Sequence, residues 1–259
     1  MASPNVRLHR SLLVVPLLAL AACAAPQPPD QPAAAFRPPA APEVAPEVLA
    51  MYGAVADGEL TIPAVPARYL TERNRRQIVD YWTDEAPETI VVDPWDRFLY
   101  FVLEDDRAIR YGIAVGEDGR GFSGEGTIPF TREWPRWTPT PNMLAEDPDL
   151  YEPHRGGMEG GLENPLGARA LYLFQGGQDT LYRIHGTNHP WSIGEATSAG
   201  CIRLFNQDIL DLHERVDAGT RVVVLSEDEA GKGTAPRSPK TGTTGAGPDG
   251  APSSSPAGT

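Results

Sequence analysis

Prolines and small residues decide how much of this 259-residue chain can fold. Between residues 24 and 66 the sequence is dominated by Ala and Pro, with Pro26, Pro28, Pro29, Pro32, Pro38, Pro39, Pro42 and Pro46. Proline donates no backbone hydrogen bond and clashes with a preceding helical turn, so residues 23–66 read as a semi-extended tether that holds no helix and buries no core. Residues 227–259 are Gly, Ser, Thr, Pro and Ala with a few charges and no apolar period, the composition of a disordered tail. The core must therefore lie between these ends. Lys+Arg number 22 against 35 Asp+Glu, a formal charge of −13, which excludes a protein that tracks nucleic-acid phosphates. With two cysteines, Cys23 and Cys201, neither a disulfide scaffold nor a four-cysteine zinc site is possible.

Within the middle, residues 71–82 place Ile78, Val79 and Trp82 on one helical face behind Thr71 as N-cap, so residues 67–88 are expected to form a short helical lead-in. From residue 89 the pattern changes to β-branched and aromatic runs separated by turn residues, at 89–92, 97–103 and 108–115. In the last run Ile109, Tyr111, Ile113 and Val115 alternate with Arg110, Gly112 and Ala114, which predicts one buried face and one open one. Residues 127–167 carry Trp134 and Trp137 without periodicity, the sign of a functional loop or lid. Strands resume at 170–174 and 181–185 around Gly176-Gly177. A helix over 206–216, N-capped by Asn206, precedes a last strand at 221–225. These elements predict a mainly β domain over residues 89–226 with one or two short helices and no internal repeat.

The chemistry concentrates between residues 184 and 206. His185-Gly186-Thr187 precedes Cys201 by sixteen residues, and Cys201 sits within Ser198-Ala199-Gly200-Cys201-Ile202-Arg203. A thiol of pKa about 8.5 is mostly protonated near neutrality, so a nucleophilic cysteine needs an imidazole to take its proton. Gly200 lets the chain turn tightly, so that successive N–H groups face a developing oxyanion. Other readings remain open. His185, His189 and Cys201 allow a zinc site, but they supply three ligands where structural zinc takes four. A buried inert thiol is also consistent with one lone cysteine. His189 reads as a cleft-rim residue, and His154 and His213 as surface residues.

The first residues resemble a bacterial lipoprotein signal. Arg7 and Arg10 precede an apolar run over residues 12–22, too short to span a bilayer, and Leu20-Ala21-Ala22 leads into Cys23. This resemblance implies cleavage after residue 22, acylation of Cys23 and export to the periplasmic face of the envelope. Ala24 at the next position favours the outer membrane. Loss of Arg7 and Arg10 with no acid takes the mature chain from −13 to −15.

The chemical blocks resemble the L,D-transpeptidases of bacterial cell walls. Their motif, a His-Gly-Thr, a spacer, Ser-x-Gly-Cys-Ile/Val-Arg and then an Asn opening a helix, matches residues 185–187, 198–203 and 206–208 in order. Asn164-Pro165-Leu166-Gly167 resembles the element before the strand that leads to the histidine. The resemblance covers about residues 89–225 and implies a compact β-sandwich or barrel. It also implies Cys201 as nucleophile, His185 as general base and the Gly186 carbonyl orienting the imidazole. The N–H groups of Ala199, Gly200 and Cys201 would form the oxyanion hole. Arg203, Ser198, Thr187, Asn188 and Trp191 would contact substrate, and Trp134–Trp137 would wall the cleft. Many members carry His at the position of Ala199; the upstream His185 is present here. Peptidoglycan stem peptides are the implied partners, with no metal or organic cofactor and no implied oligomeric state. A cell-wall cysteine peptidase fits less well, because there the Cys precedes the His. A non-catalytic peptidoglycan-binding lipoprotein, and a hydrolase or exchange enzyme using the same acyl-enzyme, are the alternatives.

Overall fold

The computed structural model describes residues 44–116, 122–195 and 201–236. The export signal, Cys23, Ala24, residues 25–43, Ser198, Ala199, Gly200 and residues 237–259 lie outside them. The described chain opens with α1 (Pro46–Met51), β1 (Val55–Asp57), β2 (Leu60–Ile62) and β3 (Gln77–Asp80). Then follow β4 (Ile90–Asp93), β5 (Phe98–Val102), β6 (Arg107–Gly112), β7 (Ala114–Val115), β8 (Gly124–Ile128) and β9 (Thr131–Glu133). After α2 (Pro141–Glu146) and α3 (Pro148–Tyr151) come β10 (Arg169–Gln175), β11 (Gln178–His185), β12 (Ile202–Arg203), α4 (Asn206–His213) and β13 (Thr220–Val224). β1 and β2 form a hairpin, and the other strands join one sheet in the order β3-β6-β5-β4-β13-β8-β10-β11-β12-β7, with β9 on β10.

The meander β4-β5-β6 shows how alternation builds two cores. Ile90, Val92, Leu99, Phe101, Ile109 and Tyr111 point to the main core, where Leu171, Ile184, Ile202 and Ile209 join them. The intervening Val91, Phe98, Tyr100, Val102 and Ala108 form a second cluster with Tyr81 and Leu225 on the opposite face. Residues 227–236 cross part of that face, and the Arg73 and Arg110 guanidinium groups lie over Phe98. Gly231 N–H donates to Asp93 at 2.7 Å, Trp82 N–H donates to the Gly233 carbonyl at 2.8 Å, and Ser226 with Glu229 forms a capping box. The first ten residues of the expected disordered tail are thus part of the fold.

Three other expectations change. The tether does not extend to residue 66. α1 begins on Pro46, where a missing N–H costs a helix nothing, and Tyr52, Ile62, Val65 and Leu70 are buried. This N-terminal strap packs on Phe205, Ile193 and Ala114, with the Tyr52 and Phe205 rings edge to face at 5.5 Å. The expected helix over residues 71–82 is a turn followed by β3, because Gln77–Asp80 pairs antiparallel with β6 from Arg110 to Arg107. Sheet pairing there outweighs a marginal helical period. Finally, the open face predicted for Gly112 and Ala114 is covered: a Cβ at Gly112 would collide with Asn74, and Ala114 packs under the strap. Among the described residues no helix is long and apolar enough to cross a membrane.

Candidate active site

The site grows from one pair of strand ends. β11 and β12 pair in parallel, Ile184 against Ile202 and His185 against Arg203. Side chains alternate along a strand, so Ile184 and Ile202 enter the core, 0% and 3% exposed. The same alternation puts Arg183 and His185 on the other face of β11, beside Cys201 and Arg203. His185, Cys201 and Arg203 line one cavity of about 340 Å³.

His185 is buried, and its Nδ1 lies 2.5 Å from the Gly186 carbonyl oxygen. A carbonyl only accepts, so Nδ1 carries the hydrogen and Nε2 is the basic nitrogen. Burial, reinforced by the Arg203 charge and opposed by the Gly186 and Leu166 carbonyls, holds the imidazole down to about 3. Burial raises the half-buried Cys201 thiol, while the Arg183 backbone N–H and the Arg183 and Arg203 charges pull it back. The pair therefore rests as thiol and neutral imidazole. Arg203 is itself disfavoured as a cation by burial, and its Nε has no partner among the described residues. Arg183, by contrast, is paired with Asp179 at 2.7 and 2.8 Å and stacks over Tyr172.

Asn206 fixes the backbone of this site. It is the first residue of α4, and the N-cap position falls on Phe205. Its side chain does other work: Oδ1 accepts from Ala168 N–H at 3.0 Å and Nδ2 donates to the Thr187 carbonyl at 2.9 Å. That amide lies between Gly167 and Gly186, where a Cβ on either glycine would collide with Oδ1. Asn164 plays a similar part under the cavity floor. It is fully buried, with Nδ2 near the carbonyls of Pro135, Met158 and Glu159 and Oδ1 accepting from Leu166 N–H at 2.8 Å. Neither Asn was singled out as a site residue from sequence, although each stands in a motif block beside glycines that only a close approach would require.

The remaining expected residues divide. Thr187 is buried, its hydroxyl accepting from His189 N–H at 3.0 Å. Asn188 lines the cavity and donates to the Glu163 carbonyl at 2.9 Å. Trp191 is 56% exposed and packs on His189 at 4.6 Å, outside the cavity lining, whereas His189 is in it. Trp137 lines the cavity, but Trp134 does not; its backbone N–H bonds the Ala168 carbonyl at 2.8 Å. The stretch 127–167 carries β9, α2 and α3 between irregular segments and walls the cavity with Met143, Leu150, Tyr151 and Met158. His154, expected at the surface, joins that wall with its ring 6.0 Å from Trp137. His213 is half-buried and bonds Thr131 Oγ1 at 2.9 Å. Among the described residues no group of three His, Cys, Asp or Glu side chains would hold a metal ion.

A cysteine and a histidine on adjacent strand ends of a mainly β scaffold, facing one cavity, define a cysteine–histidine site of the acyl-transfer type. Residues 87–224 match the family model of the YkuD L,D-transpeptidase catalytic domain, and the chain belongs to that family. It is 56% identical over 124 residues to YkuD of Bacillus subtilis (strain 168), covering 47% of this chain and 70% of that one. It is 35% identical over 147 residues to the "Probable L,D-transpeptidase ErfK/SrfK" of Escherichia coli (strain K12), covering 56% of this chain and 46% of that one. This chain thus spans just under half the length of that relative. A solved chain from Brucella melitensis, named a probable carnitine operon oxidoreductase, is 52% identical and covers 61% of this chain and 98% of that one. Its TM-score of 0.42 is too low to bear on this chain's shape or chemistry.

Proposed function

We propose that this protein is a peptidoglycan L,D-transpeptidase with Cys201 as nucleophile and His185 as general base. The observation that carries the reading is the shared face of β11 and β12, which brings His185, Cys201 and Arg203 to one cavity. In the first step His185 takes the thiol proton as sulfur attacks the carbonyl of the diaminopimelate in a tetrapeptide stem. The N–H groups of Ala199, Gly200 and Cys201 stabilise the oxyanion. The C–N bond to the terminal D-Ala breaks, the imidazolium returns its proton to the leaving amine, and a thioester remains on Cys201. In the second step an amine of another stem attacks that thioester. A C–N bond forms, the C–S bond breaks, and the amine's proton passes through His185 to the departing sulfur, giving a 3→3 cross-link. The half-buried guanidinium of Arg203, whose Nε has no partner among the described residues, takes a carboxylate of the donor stem. Acylated Cys23 anchors the protein in the outer membrane, so palmitate labelling in cells is expected and is lost in Cys23→Ala.

Intact-protein mass spectrometry of the mature protein with a carbapenem or a tetrapeptide tests the enzyme. A covalent adduct is expected with wild type and absent with Cys201→Ala. No adduct with wild type overturns the reading in favour of a non-catalytic binder.

A further inference from the structure

A second cavity, of about 220 Å³, lies on the other side of Asn188 and Glu163, the two residues it shares with the catalytic cavity. Its far wall is Pro63, Ala64 and Val65 of the N-terminal strap, a segment outside the matched family domain at 87–224. The strap is fixed there, because Gln207 Nε2 donates to the Gly53 and Pro63 carbonyls, both at 3.0 Å. Tyr52 OH donates to Asp208 at 3.1 Å, and Arg169 grips Asp57 through two bonds of 2.7 and 2.9 Å. Gln207 and Asp208 follow Asn206 directly. Three successive side chains of α4 thus hold the catalytic backbone and the cavity wall in one register.

Size and charge indicate what this cavity takes. It is smaller than the roughly 300–1,000 Å³ of pockets that enclose drug-sized ligands, and suits one side chain of a peptide. Pro63, Val65, Leu162 and Phe205 offer apolar surface for an alkyl stem, and Glu163 presents an exposed carboxylate at the junction with the catalytic cavity. We propose that this second cavity binds the alkylamine side chain of the acceptor, with Glu163 attracting its ammonium and the strap residues 63–65 setting which chain fits. The inference rests on the acyl-enzyme reading above. It makes the strap, and not the catalytic domain alone, the element that selects amine over water.

Two measurements test it. On the Cys201 thioester, the ratio of aminolysis to hydrolysis is read with Nα-acetyl-lysine as acceptor, on whatever acyl-enzyme forms. Ala64→Phe, which fills the cavity, is expected to lower that ratio more than tenfold. Glu163→Gln is expected to lower it about two- to fivefold, as befits one exposed charge. Unchanged ratios in both variants overturn the proposal while leaving the transpeptidase reading intact. Independently of any thioester, Nα-acetyl-lysine titrated into wild type should shift the NMR signals of the Gln207 side-chain amide. Its Nζ-acetylated form should not, nor should either compound in Ala64→Phe. Equal shifts with both compounds, or none with either, overturn the proposal even if no acyl-enzyme is ever detected.

Discussion

His185 is a base that burial keeps unprotonated far below the usual imidazole range, and Cys201 beside it is a thiol that burial keeps protonated. Proton transfer must then accompany sulfur attack, because no thiolate–imidazolium pair is stored at rest. The rate of acylation should accordingly show no inflection near pH 6.5 and should fall only as pH approaches about 3. Stopped-flow acylation by a carbapenem from pH 4 to 8 measures this, and an inflection at 6.5 contradicts it. Arg203 is the second cause of the depressed imidazole. In Arg203→Met the His185 ring should titrate higher, visible in its Hε1 chemical shift, while the apparent KM for a carboxylate-bearing donor rises. That His185, Cys201 and Arg203 meet at one cavity was legible in sequence, because two short motifs name them. The depth of burial was not, since it depends on which strands cover the histidine.

At the level of elements, α4 acts as a clasp. Asn206→Ala leaves the Ala168 N–H and Thr187 carbonyl without their partner, each worth about 1–3 kcal/mol when buried. A lower melting temperature and a lower kcat are expected together. Gly186→Ala should also be destabilising, but less so in an Asn206→Ala background, where the colliding Oδ1 is gone. A double-mutant cycle on thermal unfolding reads this coupling, and strict additivity would refute it. The strands β4, β5, β6, β10 and β11 were legible because their apolar residues alternate or run continuously between turn signals. β3 was not, because Ile78, Val79 and Trp82 satisfy a helical spacing and only the pairing with β6 decides between the two. The strap was hidden for a different reason. Its helix and strands are six residues or fewer, set among prolines, and its anchors Tyr52, Val65 and Leu70 look isolated until Phe205 is placed beneath them.

Across the whole molecule, two buried groups pull stability in opposite directions with pH. Between about 3 and 6.5 the unfolded chain protonates His185 and the folded one does not, so this term makes stability rise with pH. Asp208, pushed up to about 7 by burial from a usual 3.8, binds a proton in the folded state that the unfolded state releases, so its term makes stability fall from about pH 4 to 7. The two slopes offset one another in wild type between about pH 4 and 6.5. Asp208→Asn should leave the His185 contribution unopposed, giving a melting temperature that climbs more steeply over that interval than in wild type; an unchanged slope would refute the assignment. Asp57→Ala, which leaves the buried Arg169 guanidinium with the Ala168 carbonyl and Glu133 at 3.9 Å, should cost toward the lower end of about 3–5 kcal/mol, measured by denaturant unfolding. The strap gives this a practical edge. The stretch recognisable by kinship begins at residue 87, but a gene fragment trimmed to that boundary would expose Phe205, Gln207 and Asp208 and be expected to aggregate. The unit of inheritance is shorter than the unit of folding, and a soluble fragment should start no later than residue 44.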